Sequence, residues 1–200
     1  MLKQISSRSS LYKSLRLLSV AWVFLLMFQV HAWDATPQAT LVTPVPQNGI
    51  WLDTCFSPNE SCDQKLIRFI SSSKLTLQIA IYSLTHKGIA QAIVDAHRSG
   101  RQVQVVVDRV QAAGNYSQVN NLKAAGVPVK FGNMSPGNAR AIMHNKYTLV
   151  DGVRLETGSY NYTENATSNN AENQFYTDET NIVNRYVKDF QKLFAEGLDQ

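Results

Sequence analysis

The sequence predicts an α/β fold: a mixed β-sheet with helices packed on both faces, within a single domain. Two apolar runs, LTLQIAIYSL (75–84) and QVQVVVD (102–108), have the composition of buried strands. Between them, the segment 87–98 has the periodicity of a helix whose apolar face carries Ile89, Ile93 and Ala96. This β-α-β alternation indicates parallel neighbours in the sheet, with the connecting helices packed on its faces.

The other elements follow from similar patterns. IWLDTCF (50–56) suggests a first strand, and Asn59 or Ser61 is a candidate cap for a helix with four core residues: Leu66, Ile67, Phe69 and Ile70. Ser99-Gly100 ends the helix over 87–98. Beyond it the sequence predicts a helix around 116–125, then strands at 128–131 and around 173–177. A closing amphipathic helix has an apolar face made of Ile182, Val183, Tyr186, Val187, Phe190, Leu193 and Phe194.

The first 32 residues are predicted to be a secretory signal peptide. Their apolar run, 17–30, is shorter than the roughly 20 residues that span a bilayer, and it follows four basic residues: Lys3, Arg8, Lys13 and Arg16. Small residues before position 33 predict cleavage after Ala32, with an uncleaved membrane anchor as the alternative. The proline-containing segment 33–49 is expected to be a lead-in, and 50–197 the folded domain. Export implies a periplasmic or secreted protein.

Removing this segment changes the charge balance of the chain. Residues 1–32 hold four of the 19 basic residues and none of the 15 acidic ones, so the remainder has 15 of each. Affinity for a polyanion must therefore come from local placement of cations. Four basic residues are candidates to line a groove, with a mixed solvated surface as the alternative: Lys123, Lys130, Arg140 and Lys146.

The exported segment contains two cysteines, Cys55 and Cys62. In an oxidising compartment we expect a disulfide between them that fixes the turn into the first helix. Zinc binding is the alternative, although the spacing is not CxxC and no histidine pair accompanies it.

The most informative feature of the chain is one copy of the pattern H-x-K-x4-D-x6-G-S-x-N, formed by His144, Lys146, Asp151, Gly158, Ser159 and Asn161. Alternation in an extended run places His144 and Lys146 on one face, together with Ile142 and Thr148. Asp151-Gly152 has the composition of a turn, and the returning strand 153–156 would bring the end of the motif beside His144. The alternative is a surface hairpin with an incidental histidine.

These residues resemble the HKD motif of the phospholipase D superfamily. CFSP (55–58), the segment 79–108 and ATSNNAENQ (166–174) are similar to its small bacterial endonuclease branch, and the resemblance covers roughly residues 50–195. It implies the phospholipase D/nuclease fold, one motif per chain and a homodimer. It also implies that Glu172 braces the catalytic histidine, with Asn173 as a further contact.

The motif contains the groups that phosphodiester cleavage needs. His144 can attack phosphorus to give a phosphohistidine, while Lys146 and Asn161 hold the non-bridging oxygens and Ser159 adds a donor. Gly158 is expected to allow close backbone approach, and Asp151 to close the turn. The sequence contains no carboxylate cluster or H-x-x-x-H pattern, so we expect no metal or other cofactor.

One histidine cannot be nucleophile and leaving-group acid in the same step. His86 is a weak candidate for the second group and His97 is expected at the surface, so a two-fold homodimer that joins two copies of His144 is the simpler solution. The favoured function is a non-specific endonuclease acting on DNA, with RNA as a further candidate. The alternatives are phospholipid headgroup hydrolysis, for which no exposed apolar rim is apparent, and a non-catalytic nucleic-acid-binding envelope protein.

Overall fold

The structure is a computed structural model that describes residues 49–132 and 141–199. The predicted signal peptide, residues 33–48 of the lead-in, and Arg140 lie outside these ranges. Among the described residues, no helix is both long enough and apolar enough to cross a membrane.

Seven strands form one mixed sheet, as the sequence predicts. In chain order they are β1 (Leu52–Ser57), β2 (Thr76–Ile81), β3 (Gln102–Val107), β4 (Val129–Phe131), β5 (Lys146–Val150), β6 (Arg154–Gly158) and β7 (Glu172–Thr177). Their order across the sheet is β1-β7-β6-β5-β2-β3-β4. The strands β2, β3 and β4 are parallel, whereas all other neighbours are antiparallel. The predicted hairpin is the antiparallel pair β5–β6, next to the parallel half of the sheet.

The described part of the chain has six helices beside the sheet: α1 (Cys62–Ser71), α2 (Lys87–Arg98), α3 (Arg109–Ala112), α4 (Val119–Ala124), α5 (Glu164–Ser168) and α6 (Thr180–Glu196). The bounds of α2 agree with the prediction, and Gly100 has the positive φ of 86° that favours glycine after a helix. The short helices α3 and α5 were not predicted. Ser61 occupies the cap position of α1, but its side chain makes no capping hydrogen bond.

The core has two parts, one on each face of the sheet. Alternation along β2 sends Ile79 and Ile81 into the cluster formed with α1, α2 and α4, while Ala80 joins the cluster beneath α6. The buried residues of α6 are Val183, Phe190 and Leu193. Helices therefore cover both faces of the sheet, as expected.

Two sequence predictions about side-chain placement are wrong. Ile182 is 40% exposed because it lies at the flank of the buried stripe of α6, beside an open cleft. Ile142 and His144 precede β5 instead of belonging to it. The pairing of β2 with β5 ends at Ile81–Lys146, and beyond that pair both chain segments become irregular.

The predicted disulfide is present and joins Cys55 in β1 to Cys62 at the start of α1, with Cα atoms 5.7 Å apart. Both residues are buried. The alternative of zinc binding is wrong, because each sulfur is bonded to the other and neither is available as a thiolate.

Candidate active site

His144 lies at the end of the central strands, where β2 ends and β5 begins. The backbone N–H of Tyr82, just after β2, donates to the carbonyl of Asn145 at 2.9 Å. On the other side of His144, the Met143 N–H donates to Oδ2 of Asp108 at 3.0 Å. Because both neighbours of His144 are tied to the ends of parallel strands, its position is fixed although its side chain is exposed.

The structure brings the histidine and the lysine of the motif together. The Nζ atom of Lys146 lies 3.4 Å from each ring nitrogen of His144 and donates to the His144 carbonyl at 2.9 Å. The Lys146 side chain is buried, whereas His144 is exposed. Burial lowers the pKa of Lys146, and the negative charge of Glu172 opposes that effect. A substrate anion at His144 would therefore meet a partly desolvated ammonium, which strengthens their attraction.

Tyr82 is a site residue that the sequence reasoning did not identify. Its ring packs edge-on against the His144 ring, with centroids 4.6 Å apart, and lies 5.3 Å from Nζ of Lys146. The Tyr82 hydroxyl accepts a hydrogen bond from Gln111 Nε2 at 3.1 Å. Tyr82 thus forms an aromatic wall for both groups. Its place after a buried strand was visible in the sequence, but its contact with the motif depends on tertiary structure.

The carboxylate of Glu172 is bonded to the second half of the motif. Ser159 Oγ donates to one oxygen of Glu172, and Asn170 Nδ2 donates to the other at 2.9 Å. Ser159 Oγ also accepts the backbone N–H of Asn173 at 3.1 Å. Within the described part of the chain, these bonds of Glu172 do not include His144. The carboxylate does face the site, since its charge acts on Lys146.

Close packing of two backbones explains the glycine of the motif. A Cβ atom on Gly158 would lie 2.1 Å from the carbonyl oxygen of Asn173. The strand β6 pairs with β7 at this point, with Gly158 opposite Gln174. The close approach expected at Gly158 is therefore present, and it brings the loop with Ser159 against the start of β7.

Asp151, the remaining charged residue of the motif, has a structural role in the hairpin. Asp151 closes the β5–β6 turn with a positive φ of 55°, at the opposite end of β5 from Lys146. Its carboxylate accepts the backbone N–H groups of Lys74, Leu75 and Thr76 at 2.7–3.0 Å. Burial acts to raise the pKa of Asp151, but these bonds and the nearby Arg154 outweigh it and lower the pKa. Asp151 ties the hairpin to the start of β2.

A buried hydrogen-bond network lies beneath the last residue of the motif. Asn161 is half-buried, and its Oδ1 atom has no partner among the described residues. The next residue, Tyr162, donates its hydroxyl hydrogen to Glu156 at 2.8 Å, and that hydroxyl lies 2.6 Å from Thr148 Oγ1. The Tyr162 N–H donates to Ser83 O at 3.1 Å. The network therefore links the loop of Asn161 to β5, which carries Lys146.

The carboxyl group at the centre of this network is fully buried. Burial raises the pKa of Glu156 to about 8, although the hydrogen bond from Tyr162 acts to lower it. Its Oε1 atom has no hydrogen-bond partner in the described ranges. Glu156 is therefore held largely protonated at neutral pH, which avoids the cost of a buried, unpaired charge.

The other two histidines of the domain have different environments. His86 caps α2: its Nδ1 accepts the Ile89 N–H at 3.2 Å, while Nε2 faces Asp63 and Glu164 at 3.7 and 3.4 Å. Both ring nitrogens are thus occupied within the α1–α2–α5 layer. His97, which was expected at the surface, is half-buried in α2, with Nε2 beside the turn at Gly126.

Two of the candidate groove cations, Lys130 and Lys123, have partners outside the motif. Lys130 pairs with Asp199 at 2.6 Å, and Lys123 lies over the Phe131 ring at 5.2 Å. Of the three candidates within the described ranges, Lys146 is the one at the motif, to which it belongs. Residues 49–132 and 141–199 contain one three-residue cluster of possible metal ligands, Cys55, Glu60 and Cys62, whose sulfurs are already bonded to each other.

Comparison with known proteins places the fold and this site in a family. Residues 66–194 match the family described as "Cardiolipin synthase, PLD-like domain". The chain therefore belongs to the phospholipase D superfamily. Its relatives in that superfamily include hydrolases that act on phosphodiester bonds. Within it, the fold is similar to Nuc from Salmonella typhimurium (TM-score 0.69, 27% identity, 76% of this chain and 98% of Nuc). It is equally similar to NucT from Helicobacter pylori (0.68, 30%, 76% and 99%).

Curated relatives of this chain include lipid hydrolases. The mitochondrial cardiolipin hydrolase of Xenopus laevis is 31% identical over 166 residues, which cover 78% of this chain and 76% of the relative. That of Xenopus tropicalis is 31% identical over 68% of this chain, and the match spans 63% of the relative's length. A phospholipase D of Rickettsia bellii is 27% identical over 70% of this chain and 67% of its own length. This chain, Nuc and these lipid hydrolases thus share one superfamily.

Proposed function

We propose that this chain is a metal-independent, non-specific endonuclease that cleaves DNA, with RNA as a further candidate substrate, through a phosphohistidine at the interface of a homodimer. The single observation that carries this proposal is the contact between the His144 ring and Lys146 Nζ at 3.4 Å. This contact places a nucleophile and an anion-binding cation at one point. This chain covers Nuc and NucT almost completely. That similarity supports a nuclease rather than another activity of the family.

The proposed first step is attack by a neutral ring nitrogen of His144 on the phosphorus atom. The N–P bond forms while the P–O bond to the leaving nucleoside breaks, and the leaving oxygen takes a proton from a second group. Lys146 and Asn161 stabilise the charge that develops on the non-bridging oxygens. The partly desolvated Lys146 ammonium suits that role, and Asn161 would contribute the N–H₂ group of its amide.

The second step returns the enzyme to its starting state. Water attacks phosphorus, the N–P bond breaks, and the proton from water passes to the group that served as the acid. This group must be protonated when His144 is neutral. His86 is occupied as the cap of α2, so we assign the role to His144 of a second subunit. Glu172 would then orient a histidine at the assembled interface.

Phospholipid hydrolysis is the second candidate, and two observations favour it. Relatives at 31% identity are cardiolipin hydrolases. Ile142, two residues from the nucleophile, is 46% exposed, and Val110 in the neighbouring α3 is 60% exposed. These side chains provide more apolar surface near His144 than the sequence suggested. A lipid-acting enzyme would use such a surface at a membrane.

The deciding experiment incubates residues 33–200 with plasmid DNA, RNA, or vesicles that contain phosphatidylcholine or cardiolipin, all in excess EDTA. His144→Asn is the inactive comparison. We expect nucleic-acid cleavage by the unaltered protein and none by the variant. Lipid turnover without cleavage of nucleic acid would replace the endonuclease proposal with phospholipid hydrolysis. Loss of all activity in EDTA, with recovery on adding a divalent ion, would contradict the metal-independent mechanism.

Sedimentation tests the oligomeric part of the proposal. The active species should sediment as a dimer, and activity per chain should fall on dilution below the dissociation constant. A fully active monomer would contradict the two-histidine site.

The proposed site of action is the periplasm or the exterior of the cell. The basic and apolar N-terminal segment and the buried Cys55–Cys62 disulfide support export. N-terminal sequencing of protein recovered from cell fractions should identify a chain that begins at Trp33. A full-length chain retained in the membrane fraction would indicate an anchor instead.

A further inference from the structure

A cleft of about 430 Å³ lies between the beginning of β5 and the outer part of α6. Its lining residues are Asn145, Tyr147, Ile182, Arg185, Tyr186 and Asp189. Asn145 follows His144 directly, so the cleft begins one residue, about 3.8 Å along the backbone, from the proposed nucleophile. Tyr147 faces α6, whereas Lys146 faces the opposite side of the sheet, so a substrate would reach the cleft by passing over the beginning of β5 beside His144.

The floor of the cleft presents a fixed hydrogen-bond acceptor. Tyr147 donates its hydroxyl hydrogen to Asp189 Oδ2 at 2.8 Å, and Asn145 Nδ2 approaches the same oxygen at 3.5 Å. Burial, followed by the bond to Asp189, raises the pKa of Tyr147, so the phenol remains a donor. The Tyr186 ring packs edge-on against that of Tyr147 at 5.0 Å. These contacts engage one of the two carboxylate oxygens of Asp189, an exposed residue.

Arg185 provides a cation at the rim of the cleft. Arg185 and Asp189 are four residues apart on α6, a spacing at which opposite charges often pair. The ion pairs found within residues 49–132 and 141–199 do not include this one. Arg185 is exposed, so its guanidinium can accept an incoming anion. Ile182, 40% exposed, adds an apolar wall.

This combination of groups discriminates between ligand classes. An isolated phosphate would meet the Asp189 carboxylate, and an amine headgroup would meet the Arg185 guanidinium. A nucleotide satisfies both, because its phosphate suits a guanidinium and an exocyclic amino group of its base suits a carboxylate. Its base also has flat faces that can pack against Tyr186 and Ile182.

We propose that this cleft is a subsite for a nucleotide next to the scissile phosphodiester, with Arg185 on the flanking phosphate and Asp189 on the base. The proposal rests on the proposed nuclease function and names the part of the substrate that lies outside the catalytic groups. It implies a preference for adenine, cytosine or guanine at this position, because thymine lacks an exocyclic amino group.

The test compares Arg185→Ala with Lys188→Ala, which removes the same charge from a neighbouring exposed position on α6 outside the cleft. Each protein is assayed on a single-stranded oligonucleotide and on bis(4-nitrophenyl) phosphate, which is too small to fill the cleft and the catalytic site together. For Arg185→Ala, the ratio of kcat/KM for the oligonucleotide to that for the small diester should fall roughly tenfold or more. For Lys188→Ala the ratio should stay within about twofold of the unaltered protein.

Base preference provides a second measurement. Oligonucleotides that differ at one position should be cleaved faster next to cytosine than next to thymine, and Asp189→Asn should reduce that difference. If the ratio of the two kcat/KM values is the same in Arg185→Ala and Lys188→Ala, the subsite proposal is overturned. An effect of Arg185→Ala on vesicle hydrolysis without an effect on oligonucleotides would overturn it as well. If the unaltered protein cleaves neither diester, the proposed function itself fails, which is a different result.

Discussion

The Tyr162 hydroxyl donates a 2.8 Å hydrogen bond to the carboxyl group of Glu156, and both side chains are fully buried. Tyr162 directly follows Asn161, and its hydroxyl also contacts Thr148 on the strand that carries Lys146. Two residues proposed to bind the same phosphate are thus joined by one buried phenol. Their relative position depends on an interaction that no substrate touches.

Removing that hydroxyl should affect both stability and turnover. Tyr162→Phe leaves Glu156 with no partner and is expected to lower the free energy of unfolding by about 1–3 kcal/mol. We also expect a lower kcat, because Asn161 is no longer held against β5. Urea denaturation and steady-state kinetics measure the two effects. Tyr160→Phe is the control, since its hydroxyl contacts Thr167 and not Glu156; equal losses in both variants would argue against a special role for Tyr162.

The raised pKa of Glu156 predicts a pH dependence of stability. Between about pH 4.5 and 8, the carboxyl is protonated in the folded chain and ionised in the unfolded chain. The folded state therefore binds more protons, and this group's contribution to stability falls as pH rises through that window. It is fully present below pH 4.5.

Glu156→Gln, which stays neutral, should flatten this part of the profile. Denaturation at several pH values gives the free energy of unfolding of both proteins. The value for the variant minus that for the unaltered protein should rise with pH by an amount on the order of a few kcal/mol. Glu196→Gln, at an exposed position, should leave the profile nearly unchanged. Parallel curves for Glu156→Gln and the unaltered protein would show that Glu156 is not held neutral.

The contact of Gly158 with β7 predicts a strong steric effect. An added Cβ would lie 2.1 Å from the Asn173 carbonyl oxygen, so Gly158→Ala must separate β6 from β7 at the end that carries Ser159 and Glu172. We expect a stability loss of about 2 kcal/mol or more and reduced activity. In Gly114→Ala the nearest atom is 3.2 Å away, and the cost should be smaller. Thermal unfolding of both variants makes the comparison.

The disulfide predicts sensitivity to reduction. It closes a short loop with a sequence separation of seven residues, for which chain entropy gives a stabilisation of roughly 2–3 kcal/mol. The Cys55→Ser, Cys62→Ser double variant, or the unaltered protein in reducing agent, should have a Tm several degrees lower. A Tm that does not change in either case would show that the bond contributes little to the folded state.

Much of the fold was predictable because its elements have strong local patterns. The bounds of α2 could be read from its apolar face and from Ser99-Gly100, and β2 and β3 from their β-branched runs. The short helices α3 and α5 have four and five residues, too few to show a helical period. Ile182 fits the period of α6 but lies at the flank of its buried stripe, beside an open cleft, and this placement depends on tertiary packing.

The candidate site was likewise predictable only in part from the sequence. His144, Lys146 and the glycine of the motif could be identified from fixed spacing, and the structure places the first two in contact. Glu156 lies in β6, and Tyr82 and Asp108 directly follow β2 and β3, in runs that looked entirely structural in the sequence. Their contacts with the motif appear when β2, β3 and β6 are brought beside β5, so local pattern alone could not reveal them.

The central claim, that His144 is the nucleophile, is tested most directly by trapping the covalent intermediate. The protein is mixed with an oligonucleotide in EDTA, quenched under alkaline denaturing conditions that preserve a phosphorus–nitrogen bond, digested and examined by mass spectrometry. The account predicts a nucleotide adduct on the peptide that contains His144, labile to acid and missing from His144→Asn. An adduct on another residue, or undiminished cleavage by His144→Asn, would contradict it.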